Sequence, residues 1–83
     1  MTAEEILKII TNLSQIEEDQ SVPKNIRTRI KNAVSFLKQN DVSMEIKKDK
    51  ALQELDNLDD DPNIPVYTRT QIWNIVGLLE SIQ

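Results

Sequence analysis

With 83 residues and a formal charge of −4, the chain can build one modest core and lacks the basic excess that general phosphate-backbone binding requires. It has no cysteine and no histidine, which excludes thiol chemistry, Cys-ligated zinc and the commonest general base. One glycine, three prolines and almost no alternation of β-branched residues predict an all-helical protein.

The charge is unevenly placed. Residues 1–41 carry six basic and six acidic side chains, and residues 42–83 carry four and eight. No apolar run approaches the ~20 residues of a membrane span. The start Met1-Thr2-Ala3-Glu4-Glu5 is unlike a secretory signal. A cytoplasmic protein is the expectation.

A first helix is predicted over residues 3–18. Thr2 and Glu5 are spaced as a capping box, and Ile6, Ile9, Ile10, Leu13 and Ile16 form an apolar stripe. Glu17, Glu18, Asp19, Gln20 and Ser21 break it. A second helix begins near Pro23, whose missing N–H costs nothing in a first turn. Its core face reads Ile26, Ile30, Ala33, Val34 and Leu37. Asn40, which tolerates the left-handed conformation, should end it.

A third helix should start after Ser43 as N-cap. Ala51, Leu52, Leu55 and Leu58 are its buried stripe, and in its charged first turns only Met44 and Ile46 can pack. These turns are expected to be the most mobile part of the fold. Asp59-Asp60-Asp61-Pro62-Asn63 leads to a fourth helix from Pro65, burying Ile72, Ile75, Val76, Leu79 and Ile82.

The fourth helix repeats the second. Pro23/Pro65, Arg27/Arg69, Thr28/Thr70, Ile30/Ile72, Asn32/Asn74, Val34/Val76 and Leu37/Leu79 are identical pairs at one constant offset. The same offset aligns the stripes of the first and third helices. Each half is therefore an αα-hairpin (about residues 1–41 and 43–83) that cannot bury its stripe alone. The expected product is a single compact four-helix bundle of two repeated hairpins with pseudo-two-fold symmetry. Ser35 and Gly77, equivalent and small, would let the second and fourth helices approach closely.

The repeated arginines admit two readings. Each follows an acidic loop, and reaching back to its carboxylates, or to the last carbonyls of the preceding helix, would hold the hairpin closed. The alternative is an anion site; duplication favours the structural role. Asp59, Asp61 and Asn63 match the first spacings of a calcium loop, but Ile64 stands where glycine is needed and Thr70 where a glutamate is needed. Asn32 and Asn74 are expected to make paired hydrogen bonds to a neighbouring helix or loop. No hydroxyl has an evident activating base, so an enzyme is not expected, nor any cofactor or metal.

Where the halves differ, function is sought. Lys24, Arg27, Lys31 and Lys38 form a basic stripe beside the core face of the second helix; Val66, Arg69, Trp73 and Glu80 replace them on the fourth. Trp, Tyr and Arg dominate binding interfaces, so Val66, Arg69 and Trp73, with Tyr67 nearby, form a candidate surface for a protein partner or for self-association. Alternatively Trp73 fills a gap beneath the third helix. The basic stripe supports a second hypothesis, a nucleic-acid or nucleoprotein accessory.

Asp61-Pro62-Asn63-Ile64-Pro65, then Arg69-Thr70-Gln71-Ile72-Trp73-Asn74-Ile75-Val76 and Leu79-Glu80-Ser81-Ile82, resemble the signature of a small family of uncharacterised archaeal proteins. The likeness reaches back through Ser21-Val22-Pro23-Lys24-Asn25-Ile26-Arg27 and is least in the lysine-rich third helix. It implies an intracellular four-helix protein with no assigned activity and no catalytic residues to carry over.

Overall fold

A computed structural model describes residues 3–82, which form α1 (Ala3–Glu17), α2 (Lys24–Lys38), α3 (Met44–Asp59) and α4 (Val66–Ser81). Short loops reverse the chain three times. α2 packs on α1 and α3, and α4 packs on α3 and α1, while no Cα of α2 comes within 8 Å of one in α4. The helices thus stand in a ring in chain order, with α2 and α4 on one diagonal.

One cluster fills the centre. Ile6, Ile9, Leu13 and Ile16 come from α1; Ile26, Ile30, Ala33, Val34 and Leu37 from α2. Ala51, Leu55 and Leu58 come from α3, and Ile72, Ile75 and Leu79 from α4, with Ile82 just beyond it. Val22 and Ile64, one in each hairpin loop, are buried as well. Among the described residues, every buried helical position was expected from helical spacing except Thr68, which is 1% exposed. It stands where the other half has Ile26, so the repeat marked the position although the residue type did not. Ile10, Leu52 and Val76, expected inside, are half-buried on the flanks of the cluster.

Four local expectations are corrected. Pro23 and Pro65 are caps just ahead of the first helical residue, with ψ of 147° and 145°. α2 ends in extended backbone at Gln39, and no non-glycine residue among those described has positive φ, so Asn40 is not used as a left-handed cap. Met44 and Ile46 are exposed rather than packed. Ser35 and Gly77 face outward, and a Cβ added at Gly77 meets nothing within 4 Å, so neither mediates an α2–α4 contact. The Ser43 cap is present, its hydroxyl accepting from the Ile46 N–H at 3.3 Å. Thr2, half of the expected capping box, lies outside the described residues.

The charged face of α3 makes specific contacts instead. Lys48 Nζ donates to the Ile82 carbonyl at 2.8 Å, Lys50 lies 5.5 Å from the centre of the Phe36 ring, and Glu54 pairs with Arg29 at 3.5 Å. α2 packs more extensively than α4 against α1 and α3.

Candidate interaction surfaces

The two hairpin loops are built alike. Asp19 N–H donates to the Ile16 carbonyl at 3.1 Å, and Asp61 N–H to that of Leu58 at 3.0 Å. Each aspartate then accepts from a backbone N–H two residues on, Ser21 at 2.9 Å and Asn63 at 2.8 Å, which is an Asx turn. Arg27 Nε donates to the Val22 carbonyl at 3.1 Å, and an Arg69 terminal nitrogen donates to the Asp61 carbonyl at 3.2 Å. Both arginines therefore hold the loop through its backbone, not through its carboxylates. Thr28 and Thr70 donate to carbonyls one turn earlier in their own helices.

Asp19 and Asp61 carry different secondary contacts. The Ser21 hydroxyl donates to Asp19 at 2.6 Å; this bond and that of the Ser21 N–H hold the carboxyl below the ordinary value, outweighing the opposing effect of desolvation, and the Arg27 charge adds the least. The second oxygen of Asp61 accepts from Asn25 Nδ2 at 3.2 Å, stitching the second loop to the start of α2. Asp61 is thereby committed to the fold. Among the described residues no group of three or more acidic side chains is placed to hold a metal ion.

Lys24, Arg27 and Lys31 line one shallow depression with Glu17, while Lys38 lies outside it. A neighbouring open groove between α2 and α3 is lined by Lys24, Asn25, Thr28, Arg29, Asn32 and Glu54. One Glu54 oxygen is enclosed there beside Arg29, at a distance that gives charge attraction without a hydrogen bond. Asn32 and Asn74 are exposed, and among the described residues neither makes the expected bond to a neighbouring helix. Asn74 instead borders a small polar recess with Asn12, Gln15 and Gln71.

α4 presents the other surface. Val66 is 82% exposed, Tyr67 72% and Trp73 55%. Trp73 is therefore a surface residue, rather more than half exposed and covered over the remainder. Since Ile72, Ile75 and Leu79 point to the core, helical geometry puts Val66, Thr70, Trp73 and Gly77 on the outermost face. Arg69 is half-buried on the flank and tied to Asp61, so it frames the patch more than it extends it.

These features define an all-α, four-helix up-and-down bundle with an apolar outer patch and a small basic depression. Among the described residues no helix is long and apolar enough to cross a membrane. The model of UPF0147, an uncharacterised protein family, matches residues 1–82, and the chain belongs to that family. It is 40% identical to the unknown-function protein MMP1188 of Methanococcus, whose crystal structure superposes with a TM-score of 0.96, covering 100% of this chain and 94% of the other. A protein of the same family from Thermoplasma acidophilum is 28% identical, with a TM-score of 0.91 and coverage of 96% and 94%. No curated protein matches the chain. The archaeal resemblance read from the sequence agrees with these neighbours, and neither the family nor the neighbours carry an assigned activity.

Proposed function

We propose that this chain is a non-enzymatic, cytoplasmic helical module that binds protein through the outer face of α4. The observation that carries the reading is the exposure of Val66, Tyr67 and Trp73 on one helix, whereas the other exposed large apolar side chains among the described residues, Leu7, Met44 and Ile46, are divided between α1 and α3. Exposing them costs solvation free energy that a single core face does not demand, and covering them would recover roughly 25 cal/mol for each Å² of apolar surface. The hydroxyls of Ser21, Thr28, Thr70 and Ser81 all donate to local acceptors, which argues against a poised nucleophile among them.

A second reading, a nucleic-acid or nucleoprotein accessory, draws support from Lys24, Arg27 and Lys31 around one depression. Glu17 in the same depression and the net charge of −4 weigh against it. Affinity capture from native extract at two salt concentrations separates the two. The protein-binding reading expects salt-tolerant capture that Trp73→Ala abolishes. Capture that collapses with salt, and is lost when Lys24 and Lys31 are both changed to glutamate, would replace it with the nucleic-acid reading.

A further inference from the structure

Resting on the α4 reading, we propose that the occupant of this face is a second copy of the chain, docked with the two α4 helices antiparallel about a two-fold axis. Three features of α4 are self-complementary in that arrangement. The first is charge. Arg69 and Glu80 lie about three turns apart and return to the same flank of the helix. In an antiparallel two-fold pair, each flank meets the same flank of the other copy. Arg69 then faces the partner's Glu80, and Glu80 faces the partner's Arg69, so the pairing is made twice. Glu80 is exposed, and among the described residues it makes no ion pair within the chain.

The second feature is shape. Side chains on a helix lean toward its N-terminus, so Trp73 covers the turn at Arg69 and Thr70 and leaves the surface at Gly77 bare. A Cβ there would meet nothing within 4 Å. The register that pairs Arg69 with the partner's Glu80 also brings each Trp73 over the other copy's Gly77. The glycine, which weakens an isolated helix, becomes the seat for an indole. The third is apolar area: Val66 and Thr70 extend the same outer face beyond Trp73. A single helix face is smaller than the ~800 Å² per partner of a standard interface, so the dimer is weak, with a Kd on the order of 10–100 μM.

Sedimentation equilibrium of the full chain, from about 10 μM to 1 mM, tests this with circular dichroism to verify folding. A monomer–dimer equilibrium is expected, with Trp73 emission moving to the blue as dimer forms. Glu80→Arg and Arg69→Glu should each weaken association about tenfold or more, and an equimolar mixture of the two variants should restore it by reuniting opposite charges. If Arg69→Glu disturbs the hairpin, Glu80→Arg and Gly77→Gln decide: both keep the fold, and both should weaken the dimer.

A chain that stays monomeric at about 1 mM, or a dimer indifferent to Gly77→Gln and Glu80→Arg, overturns the inference. If that monomer still captures a protein and loses it on Trp73→Ala, only the second-copy occupant is wrong. If Trp73→Ala changes neither association nor capture, the wider α4 reading falls as well.

Discussion

Lys48 and Ile82 join the beginning of α3 to the end of α4: the Lys48 ammonium donates to the Ile82 carbonyl at 2.8 Å. A cation at a helix C-terminus meets the negative end of the dipole and satisfies a carbonyl without a partner in the helix ladder. Lys48→Met should therefore cost about 1–2 kcal/mol and lower Tm by roughly 5–10 °C. Thermal denaturation followed by circular dichroism measures it. An unchanged Tm would mean that water replaces the ammonium at no cost.

Arg27→Met and Arg69→Met should each destabilise by about 1–2 kcal/mol, because each removes a charged donor from a loop carbonyl. Lysine should not rescue Arg27, since the bond uses Nε, which lysine lacks. Chemical denaturation of both variants is the measurement. Full stability in the two together would revive the anion-site reading of the arginine repeat.

Gly77→Ala should stabilise the monomer by about 0.5–1 kcal/mol, since the glycine is inside a helix, faces open space and needs no positive φ. Equilibrium unfolding in urea at low protein concentration isolates this effect. A loss of stability would show that the outer face of α4 is more crowded than its geometry indicates.

Asp19 gives the pH dependence. Its carboxyl lies below the ordinary 3.8 because the Ser21 hydroxyl and N–H favour the ionised form. With the folded-state pKa depressed, the loop's contribution is complete above the ordinary value and disappears as pH falls through the folded one. A carbon-detected NMR titration should place the midpoint under 3.8, and Ser21→Ala should raise it. A midpoint at or above 3.8 in the unaltered chain would contradict the turn geometry.

Much of this molecule is local and could be read along the chain. Ile26, Ile30, Ala33, Val34 and Leu37 share one face because of helical periodicity alone, and all five are buried. The offset between halves also anticipated Arg27 and Arg69 as loop-holding residues, since a side chain in a second turn reaches the loop just before it. The expected Asn32 and Asn74 bonds failed for the opposite reason. Such bonds need a partner on another helix, and identical residues do not guarantee equivalent neighbours.

What the sequence determined by itself was the helical content, the core-facing stripes and the turns that reverse the chain, because spacing, caps and prolines act over a few residues. The tertiary structure decided which helices touch. It set α2 and α4 on a diagonal, left Gly77 facing outward, brought Lys48 to Ile82 and Asn25 to Asp61, and exposed Trp73. Each of these depends on the ring order of four packed cylinders. That order is chosen by how the side chains of all four helices fill one interior together, which no stripe taken singly encodes.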